Sequence, residues 1–220
     1  MEISCKVCFK KCVKNGLQSN GKQRYKCGSC GRRQQIEYLY NACKPNIDNQ
    51  IIAFCKEGVG IRSTARLLNI SSTTLLKRII AIAGSIPPPC LYRHKTYEVD
   101  EMCTFVKNKK NLIWIAYALE RETKRIVSFN VGKRTNKTLN WILKSLVLSD
   151  ADKIYTDGLK NYKFLIPKEL HIVKRFGTNM IERYNLSLRT HLKRLNRRTI
   201  CFSRSIVVLK AVLKIYFWSY

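Results

Sequence analysis

Carboxylates are scarce in this chain: fourteen Asp and Glu stand against forty-two Lys and Arg, for a formal net charge of +28 over 220 residues. That excess argues for a polyanionic partner, because Lys and Arg that neutralise phosphates release condensed counterions and so bind without regard to sequence. Charge alone goes no further, since ribosomal and membrane-surface proteins are also basic. Long hydrophobic runs are missing too. The C-terminal IYFW is far too short to span a bilayer, and MEISCKVCFKKCVKNG lacks the apolar core of a signal peptide. These absences point to a soluble, cytoplasmic chain with no membrane partner. The three histidines, His94, His171 and His191, fall in no metal-spaced group and receive no role.

What is present divides the chain. Apolar residues make up 45% of it, enough for a core, and ten cysteines in a reducing compartment are tested first as metal ligands rather than disulfides. Cys5-x-x-Cys8 and Cys27-x-x-Cys30, with eighteen residues between the pairs, fit a zinc ribbon in which two knuckles meet at one Zn²⁺. Cys12 is a spare thiol that can take the place of Cys8. This first region, residues 1–45, holds too few large apolar side chains to fold on a core of its own. Residues 46–84 read as three helices, with Ser71 or Ser72 able to cap the third. Their spacing is that of a helix-turn-helix, which turns Ser72, Thr73, Thr74 and Lys77 toward a major groove, with Arg62 and Arg78 as flanking DNA contacts. SIPPPC then breaks the helical pattern, so residues 85–94 form a linker.

From residue 95 the period changes. Runs at 95–106, 111–120 and 124–131 read as a three-strand meander, followed by a helix at 135–148, a short strand in DKIYTD, a helix in LKNYKFLI, a strand in LHIVKRF, a long helix at 179–198 and a final helix. This is the ribonuclease H-like order, a mixed sheet with flanking helices, expected over 95–220. Such a core gathers the middle of its first strand, the end of its fourth and its last core helix, and each place carries an acid: Asp100, Asp157 and Glu182. Asp157 ends a parallel strand, the usual place for functional groups in open α/β sheets. Converging carboxylates repel unless cations bind, and hard divalent ions with oxygen ligands, two Mg²⁺ or Mn²⁺, resolve the conflict and serve in-line phosphoryl displacement. Glu98, Glu101 and Asp152 are rival acids nearby. On the long helix Arg189 follows Glu182 by seven residues, roughly 10 Å along the axis, where it reaches a neighbouring phosphate. Lys193 shares that stripe, and Arg194, Arg197 and Arg198 extend the basic run toward DNA.

These residues resemble a known family. YEVDEM, WIAYALERETKRIVSFNVGKRTNKTL, KIYTDGL, LIPKELH and RTHLKRLNRRTICFSRS are similar to the transposase of bacterial insertion sequence one, and RYKCGSC and GVGIRSTARLL to that element's zinc-ribbon and helix-turn-helix protein. The resemblance implies a DDE transposase that binds terminal inverted repeats, cleaves DNA and joins the freed 3′-hydroxyl to target DNA with Mg²⁺. It matches the family's acidic triad to Asp100, Asp157 and Glu182, and the basic residue after the glutamate to Arg189. Holding two DNA ends together implies a homo-oligomer, a dimer or larger. The alternative function from another class is a DNA-binding repressor with a non-catalytic assembly domain; a nuclease of RNA in hybrids is a third, which leaves the helix-turn-helix without a use.

Overall fold

The computed structural model describes residues 2–219, which divide between Ile47 and Asp48 into two compact units. In the first, strands β1 (Ile3–Ser4), β2 (Lys11–Leu17), β3 (Gln23–Cys27) and β4 (Arg33–Gln34) make an antiparallel sheet in sequential order. Its interior is Cys5, Cys12 and Cys27, with Ile3, Cys8 and Tyr25 packed alongside. So small an apolar interior cannot offset the entropy of ordering the chain, which makes the sulfur cluster the natural source of cohesion.

The second unit opens with α1 (Ile47–Lys56), α2 (Ile61–Leu67) and α3 (Ser72–Ser85). Gly58 ends the first helix with φ +68, the left-handed conformation of a helix C-cap. Ser71 caps α3 by accepting the Thr74 amide at 3.0 Å. Apolar residues of α3, among them Leu75, Ile79 and Ile82, are buried, and the helix packs against α7 (Ile206–Trp218).

The main sheet contains β5 (Thr96–Val106), β6 (Asn108–Glu120), β7 (Ile126–Gly132), β8 (Lys153–Tyr155) and β9 (His171–Ile172), in the order β7-β6-β5-β8-β9. The first three are antiparallel; β8 runs parallel to β5, and β9 parallel to β8. This is the ribonuclease H-like arrangement. Strand alternation sends Tyr97, Val99, Ala116 and Ala118 to one face, under α4 (Asn136–Leu148) and α5 (Tyr162–Leu165). Met102, Ile115 and Tyr117 go to the other, under α6 (Asn179–His191) and α7. Within β5, even-numbered residues therefore look toward α6.

Two elements differ from their sequence reading. The run LHIVKRF pairs only at His171 and Ile172, because its one neighbour, β8, is itself three residues long. The helix expected over 179–198 stops at His191: Leu192 takes φ −97 and ψ 87, and a 3₁₀ turn (Lys193–Leu195) follows. Burial of Leu192 and Leu195 in the core cluster pulls the chain inward there and removes Lys193 from the stripe shared by Glu182 and Arg189. Among the described residues no helix is long and apolar enough to cross a membrane.

Candidate active site and metal centres

Asp100 stands in the middle of β5 on the α6 face, and Asp157 two residues beyond the end of β8. Since β8 pairs with β5 only as far as Glu98, the chain leaves the sheet beside Asp100. Oxygens of Asp100, Glu101 and Asp157 come within 4.8 Å of one another. Asp157 itself accepts the Leu159 amide at 3.1 Å, which sets the turn through Gly158.

Glu182 lies in the first turn of α6, and its Oε1 accepts the Thr178 hydroxyl at 3.1 Å. It stands outside the 4.8 Å group yet close enough for its charge to act on Asp100. Burial pushes the Asp100 carboxyl above its ordinary range; the Glu101 amide and Asn185 side chain pull it down, and the charges of Asp157 and Glu182 push it up again. In a chain with so few acids, this mutual repulsion marks a place built to receive positive charge. The donors are hard oxygens, the set that suits Mg²⁺ or Mn²⁺.

Sequence reasoning missed the residues that hold this group. Asn185 Nδ2 donates to Asp100 Oδ2 at 2.6 Å, and the Tyr117 hydroxyl donates to Asn185 Oδ1 at 2.7 Å. Asn185 was within reach of a sequence argument, being three residues after Glu182 on the same helix face. Tyr117 was not: it reaches the site because β6 places it directly opposite Asp100. Half-buried Arg189 lies on the same side, its charge acting on Tyr117, and its buried Nε has no hydrogen-bond partner among the described residues.

The rival acids separate by direction. Glu98 is fully buried on the α6 side, where Oε2 accepts the Ile181 amide at 2.9 Å, at the start of the helix that carries Glu182. Its Oε1 lies 2.9 Å from Arg121 Nε, an ion pair whose angle falls short of a hydrogen bond. The Arg121 guanidinium in turn stacks 4.3 Å over Tyr155 of β8. Glu98 thus ties together the elements that carry all three acids. Glu101 belongs to the opposite strand face, 3.4 Å from Arg134 and beside the fully buried Tyr162, while one of its oxygens stays within 4.8 Å of Asp100 and Asp157. Asp152 pairs with His94 at 3.3 Å, at the other end of β8 from Asp157.

The first unit brings Cys5, Cys8, Cys27 and Cys30 together, all four sulfurs within 4.8 Å. Cys5 and Cys30 are 3.6 Å apart, Cys8 and Cys27 3.4 Å. Metal–sulfur bonds of about 2.3 Å in a tetrahedron imply edges of about 3.8 Å, so the set fits Zn²⁺. The Cys30 amide, 3.5 Å from Cys27 Sγ, lowers that thiol to about 6, which favours the thiolate a metal needs. Cys12 pairs across the sheet with Cys27 and lies outside the four-sulfur group.

Of the residues expected to meet DNA, Arg62, Ser72, Thr73 and Lys77 are exposed on the helix-turn-helix. Thr74 is half-buried, its hydroxyl bonded to Ser71 at 2.8 Å, and Arg78 pairs with Asp48 at 2.7 Å. Lys193, Arg197 and Arg198 are exposed. Arg194 turns inward to Ser203 Oγ at 3.3 Å, beside Cys55 of α1, and burial lowers its pKa.

Residues 95–219 match the family described as IS1 transposase, more than half of the chain. The chain belongs to the IS1 transposase family. Residues 38–80 match the InsA C-terminal domain, a helix-turn-helix family. The insertion element iso-IS1n protein InsB of Shigella dysenteriae is 36% identical over 116 residues, 53% of this chain and 88% of that protein. The insertion element IS1 4 protein InsB of Escherichia coli strain K12 is 36% identical over 119 residues, 54% of this chain and 71% of that protein. Among solved structures, a simian T-cell lymphotropic virus intasome in complex with a PP2A regulatory subunit overlaps at a TM-score of 0.40 and 16% identity, covering 74% of this chain and 66% of that one. As a DDE transposase, this IS1-family chain is a nucleotidyl-transfer enzyme with a DNA-binding helix-turn-helix.

Proposed function

We propose that this transposase binds the ends of an insertion element, cleaves phosphodiesters there and joins the freed 3′-hydroxyl to target DNA. The observation that carries the reading is the meeting of Asp100 and Asp157, fifty-seven positions apart, beside the helix that bears Glu182. Asp100, Asp157 and Glu182 are the ligands for two divalent cations, Mg²⁺ or Mn²⁺. Bound there, such ions supply Lewis acidity to the attacking and leaving oxygens of an in-line displacement.

The remaining work falls to the chain itself. Asn185 and Tyr117 hold the Asp100 carboxylate in one orientation, and Glu98 fixes the helix turn that presents Glu182. Arg189 offers a cation to a phosphate next to the reacting one. Arg62, Ser72, Thr73 and Lys77 read or grip the terminal repeat, supported by Thr74 and Arg78. Lys193, Arg197 and Arg198 hold the strands, with Arg194 bracing their segment from within. Cys5, Cys8, Cys27 and Cys30 hold one structural Zn²⁺. The working form is a homo-oligomer in the cytoplasm, at the nucleoid, because two ends must be held at once.

Asp157→Asn removes a charge and keeps the shape. It is expected to abolish Mg²⁺-dependent cleavage and strand transfer while end binding stays within about twofold, since the recognition helix lies elsewhere in the fold. Cleavage by the purified variant at the parent's rate refutes the assignment.

A further inference from the structure

The β5–β6 hairpin extends well past the rest of its sheet. Strand β8 leaves β5 at Glu98, yet β5 and β6 stay paired to Phe105 and Leu112. At the tip the ladder is uneven: Phe105 faces Leu112 but Val106 faces Asn108, so Lys109, Lys110 and Asn111 are pushed out as a bulge. Lys107, in the left-handed region with φ +67, makes the turn, and the Asn108 side chain accepts the Lys110 amide at 3.0 Å. Residues 107 to 112 are all exposed.

A second basic segment is bound to this tip. Val106 bridges in parallel to Ser203, and the Lys107 amide donates to the Ser203 carbonyl at 2.9 Å. Phe105 meets Phe202 edge-on at 5.8 Å. The backbone contact sets Lys107 next to the bridge on one strand and Arg204 next to it on the other, with Arg197 and Arg198 a few residues upstream. Lys107, Lys109, Lys110, Arg197, Arg198 and Arg204 are exposed, and none is in an ion pair among the described residues. Like charges held side by side without an acid cost stability, and an anionic ligand relieves that cost. Lysines on a rigid bulge also lose less entropy on binding than lysines on a mobile loop.

We propose that the hairpin tip and the bridged 197–204 segment form one basic arm that grips the phosphate backbone of duplex DNA flanking the reacting phosphate. The inference rests on the catalytic reading above for the location of that phosphate. From Asp100 to Val106 is six strand steps, about 20 Å at ~3.3 Å each. With one phosphate per ~3.4 Å of each DNA strand, the arm meets the duplex about six base pairs from the site. The contact is to backbone, so it adds affinity and register without sequence preference.

The test uses the full chain and a duplex carrying the element's own terminus, with binding measured on uncut DNA by anisotropy over a salt series. The arm variant K107A/K109A/K110A is compared with K144A/K153A/K168A, which removes the same charge from exposed lysines elsewhere. Losing about three phosphate contacts is expected to lower the slope of log affinity against log salt by about 2 to 3 in the arm variant and by less than about 1 in the control. The parent is also expected to gain affinity when one side of the duplex grows from about 4 to about 12 base pairs past the terminal pair, and the arm variant to lose that gain. Equal slopes in the two variants, or a length response that survives in the arm variant, overturns the proposal. Absence of cleavage in the parent would sink the catalytic reading and leave this binding result standing.

Discussion

Removing the Glu98 carboxylate tests how the site is held together. This side chain is fully buried, bonded to the Ile181 amide at 2.9 Å and paired at 2.9 Å with Arg121, whose side chain is 32% exposed. A hydrogen bond to a charged acceptor contributes about 1.5–3 kcal/mol. The pair with Arg121, discounted for water at the guanidinium, adds about 1 kcal/mol. Glu98→Ala therefore costs about 2.5–4 kcal/mol, the buried amide being left without a partner. Glu98→Gln keeps an acceptor for that amide and loses the charge, a cost of about 1–2 kcal/mol. At about 2–4 °C per kcal/mol for a unit of this size, the main transition falls by about 5–16 °C in the first variant and about 2–8 °C in the second, read by circular dichroism melting. Because Glu182 follows Ile181 in the chain, the folded Gln variant is also expected to need more divalent ion for half-maximal cleavage. A Glu98→Ala melt within about 2 °C of the parent, or equal losses in the two variants, would refute the reasoning.

Two further perturbations have outcomes set by geometry. A Cβ on Gly58 would lie 2.0 Å from the His191 carbonyl oxygen, in a backbone with φ +68, so Gly58→Ala is expected to cost at least about 2–3 kcal/mol in urea unfolding; a loss under about 0.5 kcal/mol would mean this approach is not rigid. Exhaustive chelation, or Cys27→Ser, is expected to take zinc content by elemental analysis from one per chain to none and to unfold residues 2–47 while the helical signal of the second unit persists; an undisturbed first unit after metal loss counts against a structural Zn²⁺.

The cysteine pairs, the meeting of Asp100 with Asp157 and the element order were legible because local chemistry carries each of them: ligand spacing, strand-end position and the change from helical to strand period. The end of α6 was not. Residues 179–198 keep a helical pattern throughout, and only burial of Leu192 and Leu195 in the shared core stops the helix at His191. Glu98 and Asp100 have the same side-chain chemistry and lie on one strand face, so sequence left them as rivals. Their neighbours across the fold, an Ile181 amide and Arg121 for one, Asn185 and Asp157 for the other, assign them different tasks.

By itself the sequence determined the scarcity of acids, the four thiol positions and the ribonuclease H-like succession of strands and helices, since composition and periodicity are properties of neighbours along the chain. The tertiary structure alone decided that Tyr117 faces Asp100, that Arg194 turns inward, and that the 107–111 tip joins the segment before α7. Those outcomes depend on register and burial between distant segments, and a one-residue slip in pairing would send the same side chains to the opposite face.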